Sequence, residues 1–202
     1  ISDANSEFYR DFWIRKQSGG QRRIVVPHSR LMAVQRWISR EILATQQVHE
    51  ISHAYSKHSS IRKCAEQHVG AGWLVKLDIH DYFESISDRR VYGVFRAIGY
   101  QPLVAFELAR LCTRVWVKPP NEFEPELTIP NAERRGIAAY ERRYMGYLPQ
   151  GAPTSPMLSN LVSRNLDVDL LTLASVEGMV VTRYADDITF SAPSKMFSRE
   201  RA

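Results

Sequence analysis

Two adjacent carboxylates, Asp186 and Asp187, sit at the centre of the stretch Val180-Val181-Thr182-Arg183-Tyr184-Ala185-Asp186-Asp187-Ile188-Thr189-Phe190-Ser191. β-Branched and aromatic residues on both sides favour strands and the acidic pair favours a turn, so the stretch reads as a hairpin with an acidic tip. Side-by-side carboxylates repel each other, and packing has no use for them. A divalent cation would offset that charge, because hard cations take oxygen ligands. Taken alone, such a pair reads as a solvated turn rather than a metal site. The cation reading needs a third carboxylate, a group that grips phosphate and a surface that suits a polyanion.

The segment Trp73-Leu74-Val75-Lys76-Leu77-Asp78-Ile79 offers the carboxylate. Its period of two sets Trp73, Val75, Leu77 and Ile79 on one face and Leu74, Lys76 and Asp78 on the other. A carboxylate at the end of so apolar a strand costs desolvation unless something pairs with it. A phosphate grip is available near the N-terminus. There Phe12 to Gln17 and Gln21 to Val26 read as two strands joined through Ser18-Gly19-Gly20, and Pro27 ends the second. The glycines supply the positive φ of a tight turn. Lys16, Arg22 and Arg23 give it a basic character, and guanidinium is a bidentate fork for phosphate oxygens. A plain surface hairpin with solvated arginines would have the same composition.

The polyanion surface is permitted by bulk charge: 202 residues carry a net +5, with a pI near 9.3. The excess is concentrated early, in Arg15, Lys16, Arg22, Arg23, Arg30, Arg36 and Arg40. An apolar content of 44% with 24% charged residues is ordinary for a globular chain. No apolar run approaches a membrane span, and the N-terminus lacks a signal-peptide layout. Cys64 and Cys112 cannot by themselves build a disulfide framework or a zinc site. A cytoplasmic setting is the expectation.

The remaining segments must position these groups. Ser29 caps a helix expected to reach about Thr45, with Leu31, Val34, Ile38 and Ile42 on one face and Arg36 off it. His49, His53, His58 and His68 have no acidic or thiol partner in a ligand pattern, so a polar helical connector is expected there rather than zinc. Ser85-Ile86-Ser87 leads into a helix carrying Val91, Val94, Phe95 and Ile98 that stops at Gly99. Pro102 starts another, with Val104, Leu108 and Leu111 inward. The Pro- and Glu-rich run from Lys118 to Pro130 is an exposed excursion. Tyr147-Leu148-Pro149-Gln150-Gly151-Ala152-Pro153-Thr154 is an irregular loop. Ser155 and Pro156 then read as N-cap and first residue of one long helix, with Leu158, Val162, Leu166, Leu170 and Leu173 buried. Such a loop presents backbone N–H groups and the Gln150 amide to a phosphate or sugar.

In this order the pieces resemble the fingers and palm of a reverse transcriptase, most closely the bacterial retron-type group, over roughly residues 12–192. The Gly-Gly-Gln-Arg-Arg-Ile-Val-Val-Pro hairpin with Val34-Gln35-Arg36 is similar to the fingers motifs. Leu77-Asp78-Ile79-His80-Asp81-Tyr82-Phe83 is similar to palm motif A. Pro149-Gln150-Gly151-Ala152-Pro153-Thr154-Ser155-Pro156 resembles motif B, and Tyr184-Ala185-Asp186-Asp187 resembles motif C. Two departures stand out. Cys64-Ala65-Glu66-Gln67-His68 has Cys where retron-type enzymes carry Asn, and the excursion is long for the group.

The resemblance implies an α+β right-hand polymerase, its antiparallel palm sheet packed on helices. Fingers would cover 1–70, palm 71–117, an exposed insertion 118–147 and palm again 148–202. The thumb is absent from these residues, with further polypeptide expected beyond Ala202. It implies RNA-directed DNA synthesis, with dNTPs added to a primer 3′-hydroxyl on a partner non-coding RNA, and an effector protein in anti-phage defence. RNA template, RNA primer and DNA product are the implied partners, and no membrane is. Asp78, Asp186 and Asp187, with the backbone carbonyl of Ile79, would hold two Mg²⁺ ions about 3.5–4 Å apart, Mn²⁺ being a substitute. Arg22 would grip the triphosphate, assisted by Lys16 or Arg23. Phe83, five residues after Asp78, matches the sugar gate that excludes a 2′-hydroxyl. Gln150 and Gly151 would line the nucleotide, while Arg36 and Tyr184 would face template and primer. A group II intron-type or untemplated, protein-primed relative shares these features. So does a palm kept as a non-catalytic RNA-binding scaffold, against which the intact carboxylates argue.

Overall fold

The computed structural model describes residues 8–15, 19–57, 59–115 and 146–193. In chain order the strands are β1 (Tyr9–Arg15), β2 (Gln21–Pro27), β3 (Trp73–Asp78), β4 (Arg114–Val115), β5 (Gly146–Tyr147), β6 (Val180–Tyr184) and β7 (Asp187–Ala192). The α-helices are α1 (Ser29–Trp37), α2 (Ile61–Glu66), α3 (Asp88–Ile98), α4 (Pro102–Cys112), α5 (Ser155–Val162) and α6 (Arg164–Val176). Contacts divide the chain into two units, each built from two separated stretches: Ile1–Val34 with Phe83–Ala152, and Gln35–Tyr82 with Pro153–Ala202. No helix among the described residues is long and apolar enough to cross a membrane.

In the first unit β1 and β2 pair antiparallel from Tyr9 opposite Pro27 to Arg15 opposite Gln21. Gly19 and Gly20 have φ of +90° and +78°, in the left-handed region that glycine adopts without a Cβ clash. α3 buries Val91 and Phe95 and ends at Gly99 in the left-handed region. α4 packs on α3 and buries Ala105, Ala109 and Cys112, while Val104 and Leu111 are exposed. The expected inward stripe is therefore displaced by one position. β4 and β5 pair antiparallel, Arg114 opposite Tyr147 and Val115 opposite Gly146. Gly146 and Tyr147 are thus buried strand residues, and the rest of 118–147 lies outside the described residues.

In the second unit α1 runs on into a wider π-helical turn over Ile38–Ile42 and a tight 3₁₀ turn over Leu43–Thr45. Gln35, Ile38, Ile42 and Leu43 are buried, while Val34, expected on the inner face, is exposed. The helical connector expected here is confined to α2, and the described residues between Thr45 and Ile61 are not helical. Their backbone runs beside β6, with Arg183 N–H donating to the Ile51 carbonyl at 2.7 Å and His53 N–H to the Arg183 carbonyl at 2.8 Å. His58 lies outside the described residues.

The long helix expected after the Gly151 loop is two helices, broken at Ser163, and it begins at Ser155 with Thr154 as N-cap. Its inward face is largely polar. Leu158 is buried as expected, but so are Ser155, Ser159, Asn160, Ser163 and Asp167, whereas Leu166 and Leu173 are exposed. The three-stranded sheet has the order β3-β7-β6, all antiparallel. One face packs Val181, Ile188 and Phe190 with Ile51 and Ala174, flanked by Ile79, Leu170, Leu171 and Met179. Each fully buried side chain of this size contributes about 1.5–3 kcal/mol.

Candidate active site

The carboxylates come together through strand register. β3 and β7 align with Asp78 directly opposite Asp187, and β6 places Tyr184 on the other side of Asp187. Residues directly opposite in a ladder share a face, so Asp78, Asp187 and Tyr184 form one row, on the face turned away from the apolar cluster. Between β6 and β7 lies a two-residue turn, Ala185-Asp186. Ala185 has φ +59°, the first central position of a turn type that normally uses glycine there. The Asp186 carbonyl accepts from Ile79 N–H at 3.1 Å, tying the turn to the end of β3.

Lys76 is the local counter-charge. Its Nζ lies 2.9 Å from Asp187 Oδ1. The hydrogen bond it donates to Asp187, then the fields of Asp187, Asp78 and Asp186, hold this ammonium above its usual range against slight burial. All three carboxylates therefore act on one cationic position. Among the described residues no group of three or more His, Cys, Asp or Glu side chains is drawn to metal-ligand spacing. The register sets Asp78 and Asp187 side by side, and Asp187 turns to Lys76. The donors are all oxygen, which suits a hard divalent ion such as Mg²⁺ or Mn²⁺.

The groups expected to handle nucleotide lie in the first unit. Arg22 is exposed, opposite Ile14 on β2, with no side-chain partner among the described residues. Arg23 differs: its Nε donates to Asp11 Oδ2 at 3.1 Å, and Arg114 Nη1 donates to the other oxygen of the same carboxylate. Burial works to raise the Asp11 carboxyl, and the bonds from Arg23 and Arg114 outweigh it, holding it below its ordinary value. Arg23 is thus committed within the hairpin. Lys16 lies outside the described residues. The Gln150 carbonyl accepts from Val25 N–H at 2.7 Å, which seats the loop against β2. Gly151 has φ +119°, and a Cβ there would lie 3.0 Å from the Val25 carbonyl oxygen, so close approach to β2 requires glycine. Phe83 is half-buried, its carbonyl accepting from Ile86 N–H at 3.1 Å. In the second unit Arg36 is exposed and Tyr184 half-buried.

Sequence reasoning missed what lies behind the acidic turn. Arg183 and Asp167 are both 0% exposed, joined by Nε–Oδ1 at 2.6 Å and Nη2–Oδ2 at 2.8 Å. Burial works to lower the Arg183 guanidinium, but Asp167 outweighs it and holds it above its ordinary value. His68 was also underread. Its Nδ1 lies 2.6 Å from Ser191 Oγ and its Nε2 2.7 Å from Thr182 Oγ1, while the Cys64 thiol donates to the same Thr182 hydroxyl at 3.2 Å. The Cys64-to-His68 element therefore fastens α2 to β6 and β7.

The chain is also similar to proteins of known type. The family model described as reverse transcriptase (RNA-dependent DNA polymerase) matches residues 14–197. The chain is 32% identical over 188 residues to Retron Ec86 reverse transcriptase of Escherichia coli, covering 92% of this chain and 49% of that protein. It is 36% identical over 183 residues to Retron Mx162 reverse transcriptase of Myxococcus xanthus, covering 91% of this chain and 35% of that one. The chain thus spans half or less of these two relatives. Among solved structures, a telomerase from Candida albicans in complex with a fragment of telomeric RNA superposes with a TM-score of 0.52 at 11% identity, over 92% of this chain and 38% of its own. That likeness carries the fold alone, and with the helices and antiparallel sheets above it matches the α+β polymerase core expected. The chain belongs to the reverse transcriptase family and, within it, resembles the retron-type bacterial members.

Proposed function

We propose that the protein containing these residues is an RNA-directed DNA polymerase of retron type, extending a primer 3′-hydroxyl with dNTPs on a partner non-coding RNA. The observation that carries this reading is the register that sets Asp78 opposite Asp187, with the Asp186 carbonyl bonded to Ile79 N–H. Nothing in packing asks for like charges opposite each other, and a ladder disfavours them. Asp78, Asp186, Asp187 and the Ile79 carbonyl are the residues that would hold divalent ions. When bound, Mg²⁺ supplies acidity to the attacking hydroxyl and charge neutralisation to the leaving pyrophosphate.

The other roles fall to side chains of the chain itself. Arg22 donates its guanidinium fork to the triphosphate, rather than Arg23, which Asp11 already holds. Gln150 and Gly151 line the nucleotide, Phe83 stands against a 2′-hydroxyl, and Tyr184 supports the primer end. An effector protein and a role in defence against phage extend the same reading.

Single-nucleotide primer extension on an RNA template, with dNTP and rNTP run in parallel, tests it. Asp186→Asn in the full-length protein is expected to lower Mg²⁺-dependent incorporation by about three orders of magnitude or more, as loss of a charge-stabilising group does. Phe83→Ala is expected to raise rNTP use relative to dNTP. Undiminished incorporation by Asp186→Asn would sink the metal assignment. A wild-type protein that binds RNA and incorporates nothing would leave only a scaffold.

A further inference from the structure

The guanidinium of Arg183 reaches both acid-bearing segments from behind. Its fork is filled by Asp167 of α6, through two bonds to one carboxylate. The remaining nitrogen, Nη1, lies 2.9 Å from the Ala185 carbonyl, 3.0 Å from the Tyr82 hydroxyl and 3.3 Å from Asn160 Oδ1. Ala185 immediately precedes Asp186, and Tyr82 follows Asp78 by four residues. Arg183 thus contacts the turn that presents one carboxylate and the segment leaving the strand that presents another.

Its partners are themselves fixed. The Tyr82 hydroxyl lies 3.1 Å from the Ser159 carbonyl and 2.9 Å from Ser163 Oγ, both from the α5 region. Asn160 donates to the Ala54 carbonyl at 2.7 Å and accepts from Ser52 Oγ at 3.0 Å. Every member is buried, so the network is rigid, and each deletion leaves a polar atom without water.

A buried ion pair is weak evidence for a role in stability, because apolar replacements are often as stable. What singles out Arg183 is the third direction of its donors. Ala185 is not a glycine yet holds φ +59°, a conformation that persists only where the surroundings over-determine it. The bond from Nη1 to the Ala185 carbonyl is such a determinant.

We propose that Arg183 is a positioning residue that locks the Ala185-Asp186 turn against the segment following Asp78, so that the carboxylates are held ready for a divalent ion. This rests on the metal reading of Asp78, Asp186 and Asp187. Lysine in its place keeps the charge but loses the planar fork, and cannot hold Asp167 and the turn carbonyl together.

The test measures Mn²⁺ binding to the full-length protein without nucleotide, from the EPR signal of the unbound ion, beside melting temperature and primer extension. Asp186→Asn is expected to lose the Mn²⁺ site. Arg183→Lys is expected to weaken it by about tenfold, the range seen when groups that orient metal ligands are altered. The Mg²⁺ needed for half-maximal incorporation rises in step, while the KM for dNTP changes less than about twofold. Tyr82→Phe, which removes a single oxygen, gives a smaller loss of the same kind and carries the test if Arg183→Lys fails to fold. Wild-type Mn²⁺ affinity in the folded lysine variant, or in Tyr82→Phe where that variant does not fold, overturns the positioning role and leaves Arg183 purely structural. Wild-type Mn²⁺ binding by Asp186→Asn overturns the metal reading itself, and the positioning role with it.

Discussion

On the face of the β3-β7-β6 sheet turned toward α5 and α6, the charged groups are matched: Arg183 lies opposite Ile188 in the ladder and is gripped by Asp167, with hydrogen-bonding partners for its remaining donors. On the other face Asp78 lies opposite Asp187 beside Asp186, and Lys76, bonded to Asp187, is the counter-charge. The contrast is informative because the two faces share a backbone. Like charges relax by moving apart, and they are kept together only where the chain beneath them cannot move. The matched face fixes the chain from behind and lets the other carry an electrostatic conflict.

The largest effect expected on this contrast comes from the matched face. Asp167→Ala leaves a wholly buried guanidinium unpaired, and breaking one half of such a pair costs about 3–5 kcal/mol. Urea unfolding of the full-length protein should show a midpoint lowered accordingly, at unchanged slope. A loss below about 1 kcal/mol would be that of an exposed pair, and the distinction between the faces would collapse.

A second expected effect concerns the α2 end of the carboxylate-bearing side, where His68 bridges Ser191 and Thr182. Burial first, and the field of His53 second, hold His68 below its ordinary value of 6.5. The unfolded chain therefore takes up a proton before the folded one, and stability falls as pH drops below about 6.5. Above that pH both states are neutral and this contribution is level. Melting temperature should decline from pH 7 toward pH 5, with part of the slope removed by His68→Gln. Only part is expected, because burial and Lys63 lower His53 in the same direction. An unaltered slope in His68→Gln would detach that residue from the pH response.

Much of the carboxylate-bearing face was legible in the sequence. Alternation marks β3, the Val and Thr residues mark β6 and β7, and adjacent Asp residues mark the turn between them. The face behind was not legible. Arg183 next to an acidic tip reads as a surface charge, and its partners lie 16 residues away at Asp167 and 23 away at Asn160. The leucines of 158–173 suggested one amphipathic helix with a leucine stripe inward, yet Asn160, Ser163 and Asp167 share the buried side. A polar series at i, i+3 and i+7 was the available signal, masked by the more familiar apolar one. Arg23 offers a second case. Asp11 and Arg23 sit diagonally across the β1-β2 ladder, in a register pairing Arg15 with Gln21 that a two-residue turn at Gly19-Gly20 does not give. The partner Arg114 on β4, 103 residues from Asp11, had no local signature.

The smallest effect expected is also the most direct probe of conflict on the open face. Asp78 is exposed and faces Asp187 across the ladder, so Asp78→Asn removes a like-charge opposition worth about 0.2–1 kcal/mol. In EDTA the variant should therefore melt slightly above the wild type, an unusual sign for a change at a strand end. Added Mg²⁺ reverses the order. An ion that binds only the folded wild type raises its stability with concentration, and the variant, short of a ligand, gains less. The two melting curves should cross as Mg²⁺ is titrated. A variant that melts below the wild type in EDTA would show that Lys76 already cancels the repulsion, and that the two faces differ less than their charges suggest.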